Sequence, residues 1–126
     1  MNKKWKVIYY KTKDGESIVE EFINSRDVKN RLKLSSTIDY LEEVGINLHR
    51  SLGDYLKDGI HELRVKLSGD ETRTLYFFCF ETYIVLTHTF IKRTDKVPEK
   101  EINKAKEYRK DFFSRYNINN IKDLLI

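Results

Sequence analysis

A chain of 126 residues, 40% hydrophobic and 13% aromatic, is long enough for one well-packed domain. No apolar run approaches the roughly 20 residues that span a bilayer, residues 1–5 lack a signal-peptide core, and the single Cys79 has no disulfide partner. Neither a membrane nor a secreted protein is expected, and the cytoplasm is. The net charge of +4 is carried by residues 92–110, where eight Lys/Arg stand against four acids; this segment suits an anionic partner or a solvated helix face.

Trp5, Val7, Ile8, Tyr9 and Tyr10 predict a first strand, ended by Lys13-Asp14-Gly15. Ile18, Val19, Phe22 and Ile23 recur at helical spacing and predict a short helix over 16–24. Asp27 is placed to cap a longer second helix carrying Leu32, Leu34, Ile38, Leu41 and Val44, and Gly45 to terminate it, so the two helices form a hairpin. Residues 46–60 hold two glycines and no clear period, and are expected to be a connection. Strands are predicted over 61–67, 72–80 and 83–91, joined by Ser68-Gly69-Asp70-Glu71 and Glu81-Thr82, which are short enough for antiparallel hairpins. Pro98 opens a last helix with Ile102, Ala105, Tyr108 and Phe112 in one stripe; Glu99 and Glu101 near its start and Arg109 and Lys110 late in it match the helix dipole. One domain over 1–113 is expected, followed by a mobile or partner-facing extension, 114–126, with a short helix at 121–126. The order βααβββα is that of an α+β domain, helices on a largely antiparallel sheet.

On the second predicted strand, alternation places His61, Leu63, Val65 and Leu67 on one face and Glu62, Arg64 and Lys66 on the other. The first face should meet the helices. The second can stay wet and take a ligand. Arg73 begins the next strand, and Lys92 and Arg93 end the last. Taken singly, Glu62 and Arg64 suit a surface ion pair equally well; three successive strands each delivering a cation to one concavity favour a site.

His49, His61 and His88 have no short ligand spacing and Cys79 has no partner, so no metal is expected, and no other cofactor either. No glycine-rich phosphate loop or nucleophile elbow is present. RNA cleavage needs none of these, because RNA supplies its own 2′-hydroxyl nucleophile. Arg and Lys can stabilise the phosphorane charge. His88 is the natural proton carrier by intrinsic pKa, although a histidine among Leu86, Thr87 and Phe90 also suits a hydrogen-bonded core position. Glu62 and Tyr76 are the fallback carriers; Tyr76 could instead stack on a base or sit in the core.

Leu56-Lys57-Asp58-Gly59-Ile60-His61-Glu62-Leu63-Arg64, then Arg73-Thr74-Leu75-Tyr76-Phe77-Phe78, then His88-Thr89-Phe90-Ile91-Lys92-Arg93-Thr94-Asp95-Lys96-Val97-Pro98 resemble the RelE/HigB-like toxins of bacterial toxin–antitoxin systems, and more closely their phage-derived branch. The similarity covers about residues 5–113 and is most specific over 56–105. It implies a ribosome-dependent endoribonuclease that cuts translated mRNA by metal-independent 2′-hydroxyl attack, and a cognate antitoxin, a small helix-turn-helix protein. Carried over to these positions, Arg64, Arg73 and Lys92 would stabilise the scissile phosphate and His88 would move the proton. Lys66, Arg93, Lys96 and Lys104 would hold RNA or ribosome backbone. Thr89 stands where the family often has glycine, His61 where it often has an aromatic, and Asp95 puts a negative charge in the basic turn.

Two rival readings share the scaffold. One is a non-catalytic inhibitor like the ParE branch, which acts on DNA gyrase by protein contact and would rely on the helical hairpin and the tail. The other is a degenerate copy that binds RNA or its antitoxin without cutting.

Overall fold

In the computed structural model, which describes residues 4–125, Asp58 and Gly59 both take positive φ, 53° and 82°. That is the geometry of a two-residue type I′ hairpin turn, whose twist matches that of the strands it joins. The strands are β2 (Gly53–Lys57) and β3 (Ile60–Leu67). The stretch expected as a connection therefore contains a fifth strand, paired antiparallel with β3 so that Gly53 meets Leu63, Asp54 meets Glu62 and Tyr55 meets His61. Gly53 is required by this pairing, since a Cβ there would lie 2.4 Å from the Glu62 carbonyl oxygen.

The sheet is completed by β1 (Lys6–Tyr9), β4 (Asp70–Cys79) and β5 (Tyr83–Ile91), in the order β1-β5-β4-β3-β2. All pairs are antiparallel except β1 with β5, which is parallel. The fold is α+β, as the element pattern predicts, with the order βααββββα.

On one face lie α1 (Ile18–Asn24) and α2 (Val28–Val44). The Ser17 hydroxyl accepts from Glu20 N and the Asp27 carboxylate from Asn30 N, so each helix starts at a side chain that satisfies a free amide. Gly45 ends α2 with φ 53°. Val19, Ile23, Leu34, Ile38 and Leu41 pack there against Leu63, Val65, Leu67, Ile84 and Leu86. Leu32, expected in this stripe, instead faces solvent, 65% exposed.

The other face is covered by α3 (Glu99–Arg115), whose Ile102, Ala105 and Phe112 join Ile8, Ile60, Leu75, Phe77 and Val85. The sheet is thus packed on both sides, and only part of the face expected to be wet stays open. Beyond α3, the 3-10 turn Ile121–Leu125 brings Ile121 into this same cluster, fully buried, so the segment expected as a mobile or partner-facing extension has one residue packed in the core. Residues 1–3 and 126, parts of the start read for a signal-peptide core and of the expected short helix at 121–126, lie outside the described residues. Among the described residues no helix is long and apolar enough to cross a membrane.

Candidate nucleic-acid interface

Alternation carries Glu62 and Arg64 of β3 to the α3 side of the sheet, and the register sets their neighbours. Arg64 lies directly opposite Arg73 on β4, and Arg73 opposite Phe90 on β5. Two residues along the strand, Glu62 meets Leu75, which meets His88. Like charges directly across a ladder repel. The buried Glu62 carboxylate offsets this, because two Arg64 guanidinium nitrogens converge on its Oε2 at 2.7 and 2.8 Å while its Oε1 lies 3.3 Å from Arg73 Nε. Arg64 Nη1 donates to the Arg50 carbonyl at 2.9 Å, and Arg73 Nη1 donates to the Thr72 carbonyl at 2.8 Å. A guanidinium has five N–H donors, so Arg64 keeps donors for a ligand.

This charged row opens on a cleft of about 470 Å³ between β3–β4 and the first turn of α3. Lys92, Asp95, Lys96 and Val97, from the connection after β5, form one side; Tyr55 and Leu56 of β2, with Glu99 and Ile102 of α3, form the rest. Four cations and three carboxylates line it, an excess of one positive charge. Lys92 and Lys96 enter no ion pair among the described residues. A groove along β1 is lined by Glu20, Asp39 and Glu42 with a single lysine, Lys11, the wrong balance for a phosphate.

The cleft is braced where β2 meets α3. Lys106 Nζ lies 2.9 Å from Asp58 Oδ2, Arg109 Nη1 donates to the Asp58 carbonyl at 2.6 Å, and Lys57 Nζ lies 2.6 Å from Glu99 Oε1. The Lys106 hydrogen bond holds the Asp58 carboxyl below its usual range. Part of the basic segment therefore fastens the β2–β3 turn.

Five of the ten side chains nominated from sequence, Glu62, Arg64, Arg73, Lys92 and Lys96, line this one cleft. Arg93 is exposed in the same connection but outside the lining. Lys66 is exposed farther along β3, beside a hollow it shares with Glu71, and Lys104 lies on α3, 3.9 Å from Glu101. Tyr76 lies on the opposite face, 2% exposed among the residues under α2; burial first, then the charges of Glu62 and Asp54, hold its hydroxyl far above the ordinary range.

His88 shares the cleft's face of the sheet but not the cleft. It is 2% exposed, stacked on Phe90 and edge-on to Tyr108 of α3. Its Nδ1 is 3.0 Å from the Thr87 hydroxyl and its Nε2 3.2 Å from Glu101 Oε1. Burial pushes its pKa down to about 4, against the opposing pull of Glu101, so the ring is neutral at physiological pH.

Tyr55 and Glu99 are cleft residues that the sequence reading did not nominate. Tyr55 accepts a hydrogen bond from Gly59 N at 3.1 Å, which holds its ring at the sheet edge. The signal for Tyr55 was available, because Asp-Gly directly before a strand marks a tight hairpin and hence a partner strand. The arrangement can grip an anion with Arg64, Lys92 and Lys96, with the carboxylates Asp95 and Glu99 beside it. Among the described residues no three His, Cys, Asp or Glu side chains gather in a way that could hold a metal ion.

A family model described as phage derived protein Gp49-like (DUF891) matches residues 21–110, from within α1 to within α3 and across the whole cleft. No curated protein matches the chain.

Proposed function

The chain belongs to this phage-derived Gp49-like family, and on that premise we propose that it is the toxin of a toxin–antitoxin pair, a RelE/HigB-like endoribonuclease that cuts mRNA on the ribosome. The observation that carries the reading is the Arg64–Arg73 pair held by buried Glu62 and opening, with Lys92 and Lys96, onto one cleft. A scissile phosphate seated there would meet Lys92 and the remaining Arg64 donors as charge grows on the phosphorane, where fixed cations act most strongly. The 2′-hydroxyl of the substrate is the nucleophile and no metal takes part. In this reading Asp95, exposed on the cleft, would carry a proton, with Glu99 beside it held by Lys57. On the same reading His88 serves the packing of α3 on the sheet, through Phe90, Tyr108 and Glu101, and Glu62 sets the guanidiniums.

Induction in a translating extract, with new mRNA 5′ ends mapped by primer extension, tests the reading. In-frame cuts that disappear in Arg64→Ala/Lys92→Ala support it. Intact mRNA with the wild-type protein present defeats it.

A second reading has one observation in its favour. Val28, Leu32 and Tyr40 on α2 are 61%, 65% and 42% exposed, three apolar side chains on the helical hairpin that a ParE-like inhibitor would use for protein contact. Loss of DNA supercoiling in the same extract, with mRNA unchanged, would select it.

A further inference from the structure

A second hollow lies on the other face of the sheet from the cationic cleft, and Tyr55, on the edge strand β2, lines both. On the α2 side of the sheet, the register sets Tyr55 opposite His61 and His61 opposite Tyr76, an aromatic row across three strands. His61 stacks on Tyr76 with centroids 5.3 Å apart and planes 19° apart, and meets Tyr55 and Phe78 edge-on at 5.1 Å each. Because α2 ends at Val44, the far wall is only the turn that follows, with Gly45, Ile46 and Leu48. The volume is about 260 Å³, room for one planar heterocycle.

Polar groups at this hollow are few. Asp54 and Arg50 are ion-paired at 3.1 Å, and His61 offers its ring nitrogens. The Tyr55 backbone N–H, then Arg50, hold the Asp54 carboxyl below its usual range, so it is an acceptor. Burial lowers the His61 pKa and favours the neutral ring. Apolar walls with a few convergent polar groups are the usual composition of a small-ligand site. Proteins that read single-stranded RNA stack its unpaired bases on such rings.

The shared residue Tyr55 identifies the occupant. A strand with a phosphate by Arg64 can turn round the edge strand β2, where Arg64 Nη1 meets the Arg50 carbonyl and Arg50 lines the hollow, and a base that follows it round meets aromatic surface and an acceptor. We propose that this hollow takes an unpaired nucleobase of the RNA strand gripped in the cationic cleft, and that Asp54 selects a base with an exocyclic amino group over uracil. The proposal rests on the reading of that cleft as an RNA site.

The test uses the full chain with isotope-labelled aromatic, arginine and lysine side chains, and a short single-stranded RNA 2′-O-methylated throughout so that it cannot be cut. The expected result is that signals of Arg64 and Lys92 move together with those of the Tyr55 and His61 rings. An abasic site in the strand leaves the first shifts and abolishes the second, and weakens binding by roughly tenfold or more. Tyr55→Ala, at a position 54% exposed, does the same. Asp54→Asn removes the preference for a cytidine strand over a uridine strand. If the cleft signals move while the rings stay still, or the rings move equally with the abasic strand, the base site is wrong and the cleft reading survives. If neither set moves, the cleft reading itself fails and the base site falls with it.

Discussion

Arg64 and Arg73 face each other directly across the β3–β4 ladder, and the carboxylate that reconciles them, Glu62, is itself 5% exposed. Two guanidiniums are thereby fixed on one carboxylate in the lining of a cleft. Without the carboxylate they would repel in a poorly solvated place.

Removing that carboxylate should therefore cost stability as well as function. Glu62→Ala is expected to lower the unfolding free energy by about 3 kcal/mol, the usual consequence of leaving a buried charge without its partner. Glu62→Ala/Arg73→Met should recover part of it. Urea denaturation of the three proteins measures both, and a loss below about 0.5 kcal/mol in the single variant would mean that Glu62 is not the clamp.

Lys92 should behave in the opposite way. It is half-buried at the end of β5 and enters no ion pair among the described residues, so Lys92→Ala is expected to leave stability within about 0.5 kcal/mol. RNA cleavage should fall by about 10²–10³-fold, the scale of one lost charge-stabilising group. Lys104→Ala, outside the cleft, should fall less than about tenfold. Equal losses in the two variants would point to a diffuse electrostatic effect.

His88 gives the fold a pH dependence. Its folded pKa is lowered to about 4 from an ordinary 6.5. Between those values the unfolded chain takes up a proton that the folded chain refuses, so stability is full above about pH 6.5 and falls as the pH drops toward about 4. The loss should be of the order of 3 kcal/mol. In His88→Gln that part of the pH dependence should vanish, as read from urea midpoints across the range. RNA cleavage by the wild type should show no inflection near neutrality from this group.

Ile121 reports on the end of the chain. Because it is fully buried with Ile8, Tyr10 and Phe112, Ile121→Ala is expected to cost about 2–4 kcal/mol. Thermal unfolding measures this directly. An unchanged midpoint would return residues beyond α3 to the role of a loose appendage.

The bounds of α2 were legible because Asp27 and Gly45 mark them, and α1 was legible from the spacing of its apolar residues. The cationic face was legible because a strand has a period of two. The parity of the β3–β4 pairing already separates Tyr76 from Glu62: with Ser68-Gly69 as the turn, Glu62 meets Leu75 and Tyr76 falls on the other side. What periodicity could not reveal was tertiary. Nothing in the alternation around His88 says that α3 will lie over it. β2 was hidden for another reason, because Gly53 and a bulge between Tyr55 and Lys57 break its alternation, and only the Asp58-Gly59 turn betrays it.

The fastening of the Asp58-Gly59 turn to α3 has a mechanical consequence. One wall of the cleft stands on β2 and another on α3, and the contacts of Lys57, Lys106 and Arg109 make them a single jaw. A partner that lifts α3 at Lys106 and Arg109 would spread that jaw while touching none of its cations. Such an antagonist would act by leverage, from outside the cleft, and high salt, which weakens exposed ion pairs, would help it.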